Sequence, residues 1–423
     1  MPCHSIIHAF CLLALAFGAA LAHAGEKPLT LSDALSRAMA QNPGLQVFDF
    51  RLQSLDGRRI TANQNPALEA GLEAENFFGS DDLQGVDEAE YTLSLSSVFE
   101  LGGKRQARVS VVDSRYGRVE AERRAETLDL LGQVTQRFLA TLALQEKLEL
   151  AAEAGALAET THESVARRAD RGAAPQAEVL RARAALTQSR IEQSRLQTEF
   201  ASRKMALASL WGATSPDFQI LEGDLFQFGS SDSFEALYQR VSDSPAIQIY
   251  ASEQRIREAE IQLARSQSES NIRWQVGFRR FEETDDTALT AGLSVPLFSG
   301  RRNRGEVQAA LAARDELRFR QEDTLLRLHA RLYEAYHLRQ QSIAAVDQIR
   351  SQMLPALTEA LSQTREAYEN GRYSYVEWTA AQRELLSARQ ALVDAATTAL
   401  LNQALIEQLT AQPLADVSGA PTR

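Results

Sequence analysis

Apolar and polar positions alternate in four stretches of this 423-residue chain. Leu68, Ala70, Leu72 and Ala74 fall on one side of the first, and Glu69, Gly71, Glu73 and Glu75 on the other. In the second, Tyr91, Leu93, Leu95 and Phe99 alternate with Thr92, Ser94 and Ser96. Further on, Ile272, Trp274, Val276 and Phe278 oppose Arg273, Gln275, Gly277 and Arg279, while Leu289, Ala291, Leu293 and Val295 oppose Thr290, Gly292 and Ser294. A period of two sends successive side chains to opposite faces, so each stretch predicts a strand with one apolar and one polar face. Each is about ten residues long, the length of a tilted strand that crosses a bilayer. A soluble antiparallel sheet with one face on a core has the same period. A secretory-type leader over 1–24, the strand length and the polar segments 79–89 and 282–287 favour lipid on the apolar side and water on the other.

Between these stretches the period changes to steps of three and four. Leu131, Val134, Phe138, Leu142 and Leu148 follow it in the first half, as do Leu325, Leu328, Leu332, Tyr336, Ile343, Val346, Met353 and Leu357 in the second. The spacing predicts long helices packed in coiled-coil fashion, with abundant alanine allowing close approach. A helix from Lys104 to Asp170 would be roughly 100 Å long at about 1.5 Å per residue.

The order of elements occurs twice. Leu31-Ser32-Asp33-Ala34-Leu35 before Asn42-Pro43 is echoed by Ser233-Phe234-Glu235-Ala236-Leu237 before Ser244-Pro245. After each come a second helical run, a pair of strands, a glycine-containing basic junction and a long helical tract. The tracts break at Asp170-Arg171-Gly172-Ala173-Ala174-Pro175 and at Glu369-Asn370-Gly371-Arg372-Tyr373-Ser374, and Glu178 and Glu377 each lie six residues past the glycine. Glycine supplies a helix C-cap at positive φ, and Pro175 or Ser374 starts the next helix. The expected organisation is a leader over 1–24, a first repeat over 25–225 (strand pair about 67–99, hairpin about 104–210), a second over 226–412 (strand pair about 271–297, hairpin about 303–410) and a flexible tail over 413–423. Gly102, Gly103, Lys104 and Arg105, with Gly300, Arg301, Arg302 and Gly305, are read as hinges where a membrane strand becomes a helix. Arg108 and Arg304 complete their basic clusters, expected near lipid headgroup phosphates. A phosphate-binding loop is excluded, because GGKR lacks the upstream glycine spacing and the hydroxyl of a P-loop.

Composition narrows the function. The first 24 residues lack Asp, Glu, Lys and Arg, and an apolar run from Ala9 to Leu21 precedes Ala22-His23-Ala24, the pattern of a secretory leader. Both cysteines, Cys3 and Cys11, lie in it, so the mature chain is expected to form no disulfide or thiolate metal site. His162, His329 and His337 remain, and the last two are eight residues apart, further than the i, i+4 pairing of a helical metal site. Neither a resident metal nor a cofactor is expected. A net charge of −11 with interspersed signs argues against a nucleic-acid partner. No serine elbow or His-Glu-x-x-His motif is present, and no enzyme activity is expected. Trp274 is read as an interfacial belt residue, and Trp211 and Trp378 as helix-packing residues. Four strands cannot close a barrel alone, so the barrel must be shared between subunits, with two or three copies giving about eight or twelve strands.

With hinges, paired strands, long helices and glycine turns in this order, the chain resembles the TolC-like outer-membrane efflux duct family over about Leu29 to Thr410. The resemblance implies a fold that is mainly α with a small β part: a homotrimer with a twelve-stranded outer-membrane barrel continued by an α-helical periplasmic tunnel. It implies as partners a periplasmic membrane-fusion adaptor and an inner-membrane RND-type pump. Glu100-Leu101-Gly102-Gly103-Lys104-Arg105 and Arg302-Asn303-Arg304-Gly305-Glu306-Val307 are similar to the hinges of the branch serving cobalt-zinc-cadmium type exporters. The intervening Ser299-Gly300-Arg301 departs from the compact form of that branch.

On this reading the tunnel mouth lies at the turns near Gly172 and Gly371. Asp170, Glu178, Glu366, Glu369 and Glu377 would form a carboxylate ring there that favours cations, held partly closed by Arg171, Arg365 or Arg372. The alternative for each residue singly is a solvated helix-end charge. Multidrug and type I secretion ducts share the architecture. A periplasmic coiled-coil adaptor is the rival of another class, but it should show one hairpin and compact β-domains where this sequence has two hairpins and four long strands.

Overall fold

The computed structural model describes residues 27–230 and 232–412; the leader over 1–24 and the tail over 413–423 lie outside the described residues. A two-residue strand β1 (Leu29–Thr30) leads into α1 (Leu31–Gln41) and α2 (Pro43–Ala62), followed by β2 (Glu69–Glu75), β3 (Glu90–Phe99), α3 (Lys104–Asp170) and α4 (Gln176–Ala208). The second half begins after β4 (Leu221–Glu222) with α5 (Phe234–Ser242) and α6 (Pro245–Gln267), then β5 (Ile272–Phe281) and β6 (Asp286–Ser294). A one-turn helix α7 (Ser299–Arg302) precedes α8 (Arg304–Gln348), α9 (Leu354–Glu369) and α10 (Tyr375–Thr410).

Side-chain chemistry sets the helix starts. Thr30 accepts a hydrogen bond from the Asp33 N–H, Asn42 from Gly44 and Leu45, and Ser233 from Ala236, each satisfying donors that a helix N-terminus leaves free. Pro43 and Pro245 open α2 and α6, where a missing N–H costs nothing. The 67 residues of α3 form one uninterrupted helix. Its counterpart in the second half is interrupted by a π turn at Ile349–Met353, ahead of Pro355. Proline offers no N–H to the carbonyl four residues back and crowds it, and a wider turn relieves both effects.

The largest core lies midway along the helices. Leu29 and Leu221, paired in parallel by β1 and β4, join Val134, Phe138 and Leu142 of α3, Phe200 and Leu207 of α4, and Leu400 of α10, all buried. Trp211 is packed there on Phe218, as expected of a helix-packing residue. A smaller cluster joins Leu237 and Val241 of α5 to Leu332 of α8 and Leu409 of α10. A third, of Val165, Ala182, Tyr368, Tyr375 and Trp378, sits at the turns that end the hairpins.

The remaining strands make one antiparallel sheet in the order β2-β3-β5-β6. Its centre joins the two halves of the chain, and β2 and β6 are its open edges.

Candidate functional site

Register decides what the sheet presents. Leu72 pairs with Leu93, Leu93 with Phe278 and Phe278 with Leu289, so one apolar row crosses all four strands. Ala70, Leu95, Val276 and Ala291 form the next row. Leu72, Leu93, Phe278 and Leu289 are 77, 59, 59 and 78% exposed, which a sheet packed on a protein core would not allow. Trp274 lies on this face, 6.0 Å from the Phe99 ring, near the helical end. The opposite face carries Glu69, Glu73, Glu75, Glu90, Arg273 and Arg279 in alternation with small residues. Arg279 reaches Glu90 at 2.7 Å and Glu75 at 3.0 Å, tying three strands together on the polar side.

At the first junction Gly102 and Gly103 have φ of 72° and 69°. A Cβ on Gly102 would stand 2.6 Å from Cγ of Glu269 and 3.1 Å from the Ser266 carbonyl oxygen, so the glycine is required by both conformation and space. Lys104 corrects the expectation of a headgroup-facing cluster. Its side chain is buried, and Nζ donates to the Glu269 carbonyl at 2.6 Å and to Oδ1 of Asn271, anchoring α3 to the α6–β5 junction. Arg108 is turned inward as well, with a two-pronged pair to Glu100 at 2.5 and 2.9 Å and a bond to the Gln64 carbonyl. Arg105 stays exposed and donates to Asn65 at 3.3 Å.

The second junction is built differently. Its left-handed residue is Phe298, at φ 64°, while Gly300 and Gly305 lie in α7 and α8 without positive φ. The turn is held by neutral groups: Asn303 donates to the Ala264 carbonyl and to Ser268, and Ser270 meets the Pro296 carbonyl at 2.7 Å and Ser299 at 3.0 Å. Arg301, Arg302 and Arg304 are exposed and make no ion pair among the described residues; Arg301 lies against the Phe298 ring.

At the far end of the helices the two turns meet. Gly172 and Gly371 have φ of 73° and 72°, in the left-handed conformation that ends each helix. Arg168 bridges them, donating to the carbonyls of Tyr368 at 3.0 Å and Glu369 at 2.8 Å with its guanidinium 4.8 Å from the Tyr368 ring. Tyr368 stacks on Trp378, which is 3% exposed, and its hydroxyl donates to Glu178 at 3.3 Å. Burial, with Glu178 beside it, pushes the Tyr368 hydroxyl up to about 12.

The acidic residues expected here have separate environments. Glu377 forms a full capping box with Ser374, whose backbone and hydroxyl bonds hold its carboxyl below the usual glutamate range. Glu178, at the matching position, has Pro175 as its N-cap, which has no side-chain acceptor or N–H for such a box, and it faces Tyr368 instead. Glu369 pairs with Arg365 at 3.0 Å, four residues along one helix. Asp170, Arg171, Glu366 and Arg372 make no ion pair among the described residues. Two of the three histidines sit among aromatic rings, His329 against Tyr238 and His337 against Tyr333. Sequence reasoning missed Arg168 and Tyr368, which do most to join the turns; the aromatic spacing Tyr368, Tyr375, Trp378 around a glycine turn is the signal that could have found them.

A sheet that is apolar on an exposed face, joined through tight hinges to helices of about 100 Å that end in paired glycine turns, matches a known family. The model of the outer membrane efflux protein family fits residues 34–213 and 236–412. The chain belongs to the outer membrane efflux protein family. The cobalt-zinc-cadmium resistance protein CzcC of Cupriavidus metallidurans is 26% identical over 364 residues, covering 86% of this chain and 85% of its own length. The nickel-cobalt-cadmium resistance protein NccC of Alcaligenes xylosoxydans xylosoxydans is 26% identical over 289 residues, covering 65% of this chain and 62% of NccC. Among solved structures, CusC superposes with a TM-score of 0.74 over 91% of this chain and 92% of its own, at 19% identity. Membership gives the exposed apolar face its solvent: the strands of an outer membrane efflux protein lie in the outer membrane, and the helices extend from them into the periplasm.

Proposed function

We propose that this chain is the outer-membrane duct of a tripartite exporter of heavy-metal cations. The observation that carries the duct is the four-stranded sheet with a lipid-type face and two unpartnered edges, β2 and β6. An open edge of this kind demands a partner strand, above all in lipid, where unpaired backbone groups cannot reach water. Three copies pairing β6 of one with β2 of the next close a barrel of twelve strands with the Arg279 face inward. The helices continue it as a periplasmic tunnel, and the turns at Gly172 and Gly371 form its mouth and meet the adaptor, which connects to an inner-membrane RND-type pump.

The metal cargo is supported by the names of CzcC and NccC and by the two hinge sequences. At the mouth, Asp170 and Glu366 are the carboxylates left to face a passing cation, since Glu178, Glu369 and Glu377 have partners in the chain. Arg171 and Arg372 lie beside the glycines of these turns, placed for contact with the adaptor. The duct does no chemistry: it gives a charged solute an aqueous path past the hydrocarbon, and the pump supplies the energy.

Growth of a deletion strain across graded zinc, cadmium, cobalt, copper and silver, beside a panel of antibiotics and detergents, tests the cargo. Sensitivity confined to metals and restored by the intact gene is the expected result. Sensitivity to organic compounds with unchanged metal tolerance would reassign the cargo to a multidrug system.

A further inference from the structure

Five arginines converge on one cleft of about 510 Å³ in the helical part of the chain, apart from both hinges and turns. Arg51 and Arg58 come from α2, Arg115 and Arg118 from α3, and Arg257 from α6; Glu122 and Glu260 are the carboxylates of its lining. Glu122 takes Arg118 at 2.7 Å and Arg51 at 3.4 Å, while Glu260 takes Arg257 at 2.9 Å and Arg115 at only 3.8 Å. Glu253 holds Arg257 from outside the lining at 3.1 Å. Arg58 has no ion pair among the described residues. Five arginines against three carboxylates leave two positive charges in excess. Asp56 and Asp113 line a separate cleft with Arg59: Arg59 pairs with Asp113, while Asp56 accepts from the neutral Tyr116 hydroxyl and keeps its charge, so with that cleft counted one positive charge is still in excess.

Guanidinium groups brought together without enough carboxylates repel one another, and their planar forks of N–H donors match the oxygens of phosphate-class anions. The volume falls within the roughly 300–1,000 Å³ of small-molecule sites. Lipid headgroups are out of range. Arg115 and Glu122 lie 11 and 18 residues beyond Lys104 on α3, which is roughly 16 to 27 Å at about 1.5 Å per residue, whereas the interfacial layer of a bilayer leaflet is only about 6 Å deep.

We propose that this cleft binds a dissolved multivalent oxyanion of the phosphate class. Calorimetric titration of the full-length protein, purified in detergent as its assembled oligomer, with inorganic pyrophosphate tests it. Saturable binding, one ion per chain, is expected. It should weaken at least tenfold in the R58Q/R115Q double variant and be unchanged in R302Q, whose guanidinium lies outside the cleft. Should the double variant not assemble, R58Q carries the test, because Arg58 has no ion pair among the described residues whose loss could unfold the chain. No saturable binding, equal binding by the arginine variants, or displacement of pyrophosphate by phosphatidylglycerol micelles would overturn the proposal, the last by assigning the cleft to lipid.

Discussion

The two halves of this chain run through the same elements in the same order yet secure them by different chemistry. At the strand-to-helix junctions, the first half uses two left-handed glycines, a local arginine–carboxylate pair across the turn and a buried lysine that reaches over to the α6–β5 junction. The second half places Phe298 in the left-handed position and ties its turn with serine and asparagine. At the opposite end the contrast reverses. The second turn has a full capping box, and the first has a proline start and depends on Arg168 and Glu178 reaching across. Duplicated topology therefore fixes where the backbone must bend, while the groups that hold each bend are free to differ.

The largest effect should come from the turns. Trp378 and Val179 occupy matching positions, seven residues past their glycines, but Trp378 is a buried member of the aromatic cluster whereas Val179 packs against it only partly buried. Trp378→Ala should cost about 3–5 kcal/mol of local stability and Val179→Ala roughly 1 kcal/mol. Protease susceptibility at the hairpin ends measures both, and equal values would erase the contrast.

Next come the junction glycines. Gly102→Ala meets both positive φ and the Glu269 side chain and should cost on the order of 1–3 kcal/mol. Gly300→Ala sits in a helix with its nearest neighbour 4.0 Å away and should be neutral or stabilising by roughly 0.5 kcal/mol. Thermal dissociation of the detergent-solubilised oligomer reads both. Removing the Lys104 ammonium by Lys104→Met should cost about 1–3 kcal/mol, because it strands the Glu269 carbonyl and Asn271. Arg302→Met should stay within about 0.5 kcal/mol.

The smallest effect is at the cap. Ser374→Ala should weaken the second turn by about 1 kcal/mol and leave the first unchanged. The Glu377 carboxyl lies below its ordinary range in the fold, so its contribution is complete above that range and fades as pH falls through the lower folded value. Fluorescence of a variant retaining only Trp378 should report this loosening on acidification, and Ser374→Ala should remove the response.

The sheet was legible in the sequence because its period of two holds through the middle of every strand, breaking at Ser97-Val98 and Arg280-Phe281, and the register aligns Leu72, Leu93, Phe278 and Leu289 in one row. The long helices were legible from three- and four-residue spacing. Lys104 was not, because a basic residue after two glycines reads as exposed until α6 is known to pack beside it. Phe298 was hidden by its neighbour Gly300, the more permissive residue on local conformation alone. Glu178 and Glu377 looked equivalent by spacing, but what divides them is the helix-starting residue, Pro175 or Ser374.

The central claim is that the exposed apolar sheet closes, with its copies, into a membrane pore. The most direct test is conductance across planar lipid bilayers on adding the purified mature protein. Discrete, long-lived conductance steps that scale with added oligomer are predicted. A protein that partitions as soluble and produces no steps would contradict the account and favour a periplasmic scaffold.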